Sequence, residues 1–138
     1  MEYRKITVAQ LDTLWTLQRS YKAEIGESIP SETDKERLAK ALREDRISFY
    51  GAWEDGVLIG CCSVSTGFSM FDYKKSGVFE DFYIRPACRH KGVARQLVRY
   101  AYRESGVSSL TVGCADCDIE MYRALGFSVR LGHLLAYE

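Results

Sequence analysis

A mixed α/β fold is what the sequence predicts, and three observations carry that prediction. Apolar residues recur at helical spacing near residues 8–22, 31–44 and 91–105. Between these stretches lie apolar runs of strand character: ISFYGAW, VLIGCCSVSTGF and VFEDFYI. Glycine, proline and capping residues stand at the junctions between runs. With 138 residues, 46% of them hydrophobic and 28% charged, the chain fits a single domain over 1–138 that buries a core without disulfides or metal.

Taken in order, residues 2–7 (EYRKIT) alternate loosely and read as an edge-type strand. Thr7-Val8-Ala9-Gln10 matches a capping box, and Leu11, Leu14, Trp15 and Gln18 follow on one face, which predicts a helix over about 8–22. Gly26 and Pro30 break the pattern. Ser31 is a suitable N-cap with acids in the next turn, and Leu38, Ala41 and Leu42 give a second helix to about residue 44. Two strands from Ile47 onward are joined by the hairpin signal Glu54-Asp55-Gly56. A polar connection, Phe71 to Ser76, leads to a strand Val78 to Ile84 that Pro86 ends. There follow a helix from Lys91 to about Ser105, a strand Leu110 to Gly113 and a short helix Ile119 to Leu125 with Gly126 at its C-terminal cap. A final strand pair, Phe127 to Tyr137, turns at Gly132-His133. The order is β-α-α-β-β-β-α-β-α-β-β.

Nineteen basic and nineteen acidic side chains cancel, so any phosphate-binding patch is local, and neither nucleic acid nor membrane is an expected partner. The longest charge-free run, Val57 to Phe71, is too short and too polar to span a bilayer. MEYRKITVAQ lacks the apolar core of a signal peptide, and five cysteines is an odd number, which together predict reduced thiols and a cytoplasmic protein.

Chemistry concentrates in Gly77 to Glu104, where an apolar strand enters a basic turn that opens into an amphipathic helix. Arg89-His90-Lys91-Gly92-Val93-Ala94 reads Arg-x-x-Gly-x-Ala at the helix start. The first N–H groups of a helix have no internal partner and lie beside a partial positive charge, so a pyrophosphate there satisfies them. Gly92 lets phosphates approach the backbone, and Arg89, Lys91 and Arg95 bring positive charge. Alone, the pattern is equally that of a basic surface loop.

Three motifs together resemble the GCN5-related N-acetyltransferases. Arg89 to Ala94 matches their acetyl-CoA motif, Glu80-Asp81-Phe82-Tyr83-Ile84 resembles the strand before it, and Tyr122-Arg123-Ala124-Leu125-Gly126-Phe127 matches their Tyr-x-x-x-Gly-Phe. The element order is also similar to theirs, and the resemblance covers nearly the whole chain. It implies a mixed, mostly antiparallel sheet with splayed central strands, flanked by about four helices. It implies acetyl-CoA as cosubstrate, a small-molecule amine as acceptor, no metal, and room for a homodimer.

Under that resemblance Phe82, Tyr83 and Ile84 pair with the pantetheine arm as an added strand would. Arg89, His90, Lys91, Gly92, Val93, Ala94 and Arg95 form the pyrophosphate anchor. An alkyl ammonium with a pKa of about 10.4 must lose a proton before it attacks. Glu80, on the strand beside the expected thioester, is the candidate base, direct or through water; a regular strand turns Asp81 to the opposite face. Tyr122 is implied as proton donor to the departing thiolate. The plain alternatives are a surface glutamate and a core tyrosine spaced with Ile119 and Leu125.

The family's asparagine seven residues before the tyrosine is Ala115 here, and the chain contains no asparagine. Asp118 replaces a usual small residue. Cys114-x-x-Cys117 with Cys88-x-His90 is a zinc or redox pattern on paper, but free cysteines are the simpler account. Glu24, Glu27, Glu32 and Asp34 line the first interhelical connection, an acidic rim that suits a polycationic amine or is simply solvated. Two other functions stay open: acetylation of a protein or peptide amine, and an acyl-CoA-binding sensor without turnover.

Overall fold

The computed structural model describes residues 1–138. One five-stranded sheet, in the spatial order β1-β2-β3-β4-β5, organises the chain. Its strands are β1 (Glu2–Ile6), β2 (Ile47–Glu54), β3 (Val57–Ser69), β4 (Lys74–Ile84) and β5 (Ser109–Val112). The first three pairings are antiparallel, and only β4 with β5 is parallel, as the intervening helix requires. The helices are α1 (Leu11–Glu24), α2 (Glu32–Arg43), α3 (Val93–Ser105) and α4 (Ile119–Ala124). This is the mixed, mostly antiparallel architecture with four helices that the sequence predicts.

Local signals explain most of the boundaries. The Thr7–Gln10 capping box closes a 3-10 turn over Val8–Gln10, from which α1 continues. Ser31 caps α2 by accepting from the Asp34 N–H at 3.2 Å, while the Asp34 carboxylate accepts from the Ser31 N–H at 2.8 Å. Asp55 and Gly56 both have positive φ, 49° and 77°, as a two-residue hairpin turn between twisted strands needs.

Each face of the sheet carries its own core. On one face α1 and α2 meet the sheet, with Leu14 and Leu17 packed among Ile6, Phe49, Trp53, Leu58, Cys61 and Tyr83. On the other face Val93, Leu97, Val98 and Ala101 of α3 pack on Tyr50, Ile59, Cys62, Val64, Phe79 and Ile84. Tyr122, Leu125 and Phe127 from the α4 region join this second core.

Two expectations need correction. The connection before the fourth strand is short: β3 runs to Ser69 and β4 begins at Lys74, so most of Phe71 to Ser76 lies in a long hairpin. The final strand pair does not form. Residues 127–138 pair with no strand, and Val129, Leu131, Leu134, Leu135 and Tyr137 are from 76% to 102% exposed. Period-two spacing is a local signal, and a strand also needs a partner edge that this segment does not meet.

Leu97 is fully buried between α3 and the sheet. Its replacement, Leu97→Ala, should cost about 2–5 kcal/mol through lost contacts and an unfilled cavity. A lowered urea midpoint with an unchanged slope is the expected reading.

Candidate active site

The site is built where β4 leaves β5. The two strands pair only from Ser76 with Ser109 to Phe79 with Val112. Beyond Phe79, β4 continues for five residues to Ile84 with β3 on one side and no strand on the other. That edge of β4 is therefore open to an extended ligand as far as the Ile84 carbonyl, which already accepts from Arg89 Nε, because unpaired strand groups pair readily with an added strand.

Within this open part β4 is not regular. Ser63 stands opposite Glu80 and Cys61 opposite Tyr83, so Cys62 alone opposes both Asp81 and Phe82. That is a β-bulge, and Asp81 takes up the extra residue with φ of +52°. The bulge shifts the phase of the strand. Phe79 and Phe82, three residues apart, both pack on the α3 face, whereas Tyr83 joins the α1 face.

The consequence for the carboxylates corrects the sequence expectation. Cys62 and Val64 belong to the α3 face, so Ser63 between them faces α1. The Ser63 hydroxyl donates to Asp81 Oδ2 at 2.6 Å. Asp81 therefore lies on the α1 side, the same side to which alternation from Phe79 assigns Glu80. Glu80 is exposed and Asp81 is half-buried. The expectation failed because it assumed regular alternation across residue 81.

Tyr21, Lys22 and Gln18 from the end of α1 cover this region. Gln18 donates to Cys61 Sγ at 3.4 Å, and the Tyr21 ring packs on Tyr83 at 5.7 Å between centroids. Burial first, and the neighbouring Asp81 carboxylate second, push the Tyr21 phenol above its ordinary pKa.

Tyr122 sits on α4 in an aromatic cluster. Its ring centroid lies 6.4 Å from Phe82 and 5.9 Å from Phe127, and Phe127 in turn lies 5.3 Å from Phe79. The chain turns back after the helix, with the Phe127 N–H donating to the Tyr122 carbonyl at 3.0 Å. Burial pushes the Tyr122 pKa up to about 12, with the neighbouring Tyr21 a smaller cause. Its hydroxyl remains a neutral proton donor across the physiological range.

The basic turn divides into two parts. Arg89 is half-buried and turned inward: Nε donates to the Ile84 carbonyl at 2.8 Å, Nη2 meets Glu24 Oε2 at 2.6 Å, and the guanidinium lies over the Tyr83 ring. It straps the end of α1 to the end of β4. His90 and Gly92 both have positive φ, and Gly92 is the N-cap of α3 with no side chain capping the first turn. The N–H groups that start α3 are thus presented beside exposed Lys91 and Arg95. Val93 is buried and Ala94 half-buried, so these two contribute backbone and packing. A groove of about 340 Å³ begins at Arg95 and runs along α3 past Val98, Arg99 and Tyr102 toward Phe127.

The sequence matches a known family along most of the chain. A family model described as the acetyltransferase (GNAT) family matches residues 11–127. The chain belongs to the GNAT acetyltransferase family. Its activity is therefore N-acetyl transfer. Among solved structures, a probable acetyltransferase is 24% identical, with 100% of this chain and 99% of that one covered at a TM-score of 0.83. An aminoglycoside acetyltransferase from an uncultured soil metagenomic sample, in complex with sisomicin, is 16% identical over 99% of this chain and 94% of its own, also at 0.83. A predicted acetyltransferase with acetyl-CoA from Clostridium acetobutylicum is 16% identical over 99% and 95%, at 0.76. No curated protein sequence matches the chain. At these identities the likeness to solved structures establishes the fold.

The remaining sequence candidates separate. Glu24 is paired with Arg89 and Glu27 with Lys22 at 2.8 Å, and Asp34 caps α2, so the acidic rim is largely neutralised by its own neighbours. Cys114 and Cys117 are exposed, and Cys88 and His90 do not join them in a metal-holding group. Ser63 and Tyr21 are residues that sequence reasoning passed over, and Asp81 is one that it assigned to the other face. One signal was present: Phe79 and Phe82 flank two acids, a three-residue apolar spacing that a regular strand cannot bury on one face.

Gly92 has φ of +80° and open space where a Cβ would stand. Gly92→Ala should cost about 1–2 kcal/mol from the left-handed conformation alone. It should also weaken acetyl-CoA binding, because the methyl stands beside the N–H groups that open α3. Thermal unfolding and titration calorimetry measure the two effects separately.

Proposed function

We propose that this protein transfers the acetyl group of acetyl-CoA to the primary amine of a small molecule, by direct attack within a ternary complex. One observation supports this most: the open part of β4 lies between carboxylates on its α1 side and the Tyr122 cluster on its α3 side. The donor's extended arm fits along Phe82 to Ile84, and its pyrophosphate fits the start of α3, where Lys91, Gly92, Val93, Ala94 and Arg95 present N–H groups and charge. Arg89 acts chiefly as the strap that fixes this turn, with its backbone available to the phosphates. His90 is exposed at the rim.

Acetyl-CoA supplies the activated acetyl group. Glu80 takes one proton from the acceptor ammonium, directly or through water, and the freed lone pair forms the C–N bond as the C–S bond breaks. Tyr122 gives its proton to the departing thiolate, and the second amine proton restores the phenol. The balance is one amide, one free thiol and one proton released to solvent. Burial holds the Tyr122 phenol protonated up to about pH 12, so its proton is in place when the thiolate forms, and the return of the amine proton to the phenol drives the transfer.

A second reading has its own observation. Glu80 is exposed and lines neither the groove along α3 nor the pocket beside Lys5 and Leu42. An open face also admits the amine of a peptide or protein. The aminoglycoside-acetylating relative and the half-buried Asp81 favour the small amine.

Acetyl-CoA turnover across polyamines, aminoglycosides, amino acids and peptides, followed by thiol release, tests the proposal. Turnover confined to peptides would transfer the conclusion to the second reading, and acetyl-CoA binding with no turnover would point to a sensor. On the best acceptor, Tyr122→Phe should lower kcat about 100-fold with an unchanged acetyl-CoA Kd. With the native tyrosine, kcat should rise with pH and not fall again below pH 10. Unchanged turnover in the variant removes Tyr122 from this role.

A further inference from the structure

Resting on the acetyl-transfer reading above, we propose that Asp81 receives the acceptor as its ammonium ion and positions it, so that the favoured acceptors are strongly basic aliphatic amines. Three features of the bulge lead there.

The first is place. The bulge turns Asp81 to the α1 side together with Glu80, next to the part of β4 that β5 does not cover. A regular strand would have put the two carboxylates on opposite faces. The second is fixation. Ser63 holds Oδ2 at 2.6 Å, while no donor of the protein bonds Oδ1. A carboxylate fixed through one oxygen has its other lone pairs directed at a ligand donor, and an ammonium brings three N–H groups to share.

The third is charge. The neighbouring acids are already engaged, Glu24 by Arg89 and Glu27 by Lys22. Asp81 makes no ion pair, although it is half-buried and its charge reaches both Tyr21 and Lys22. Partial burial makes a carboxylate's attraction for a cation stronger than at an exposed site. The half-buried Tyr21, packed on Tyr83, lies near enough to feel the Asp81 charge and offers its ring to an alkyl ammonium. Work is then divided between adjacent residues: Asp81 binds the ammonium, and exposed Glu80 takes the proton that must leave.

Asp81→Asn isolates the charge. Asparagine tolerates positive φ as aspartate does, and its amide oxygen still accepts from Ser63, so the bulge is kept. Steady-state kinetics on the best aliphatic amine should show KM raised roughly 10- to 100-fold, with kcat changed far less and the acetyl-CoA Kd unchanged. Glu80→Gln should show the reverse, a loss mainly in kcat. An amine KM within twofold of the parent, or an equal loss in acetyl-CoA affinity, overturns the proposal. So does a preference of the parent enzyme for aromatic amines that are neutral at pH 7. Should Asp81→Asn fail to fold by circular dichroism, Ser63→Ala carries the test: it keeps the charge but frees the carboxylate. It should raise KM several-fold, and an unchanged KM overturns the idea. An active enzyme indifferent to both variants defeats this inference alone; an enzyme with no amine acceptor defeats both it and the reading beneath it.

Discussion

The structure depends on the parting of β4 from β5. Parallel pairing lasts from Ser76 to Phe79 and stops because β5 ends at Val112, leaving the last five residues of β4 with one partner. Unpaired backbone inside a sheet is costly unless something satisfies it, and an extended thioester arm with its own amides can do so. The gap also lets the α4 region approach the sheet from the far side. Phe127 fills against Phe79, and Tyr122 reaches Phe82. The proposed cofactor rail and the proposed proton donor therefore share one origin.

The bulge at Asp81 adds the chemistry of the other face. One extra residue turns Phe82 back to the α3 core and brings Asp81 round beside Glu80, so a single irregularity sorts aromatic rings to one side and carboxylates to the other. Ser63 stabilises the arrangement locally, and the Arg89 strap between Glu24 and the Ile84 carbonyl holds α1 against it. The Glu24–Arg89 pair is partly exposed, and solvent screening keeps its energy modest. Its effect is mainly geometric, fixing where the turn before α3 begins.

Much of this was legible in the sequence, because the signals are local. The capping box at Thr7, the N-cap at Ser31, the Asp55-Gly56 turn and the apolar faces of α1 to α3 each report on residues a few positions apart. The glycine turn that opens α3 and the Gly126 end of α4 were readable for the same reason, since helix ends and caps are specified by neighbours, whereas the role of Tyr122 came only with the family resemblance. What escaped depends on distant partners. The bulge is a mismatch between β3 and β4, Arg89 turns inward because Glu24 stands 65 positions away in the chain, and residues 127–138 alternate like strands but meet no edge. Pairing and charge partnership across the fold leave no trace in spacing alone, save for the Phe79 to Phe82 interval.

The central claim is that the open stretch of β4 and the start of α3 together bind the donor. Backbone hydrogen exchange with and without acetyl-CoA tests it residue by residue. The account predicts slowed exchange at Phe82 to Ile84 and at Gly92 to Arg95, with β1 and α2 unaffected. Saturable acetyl-CoA binding that leaves both of those segments unprotected would contradict it.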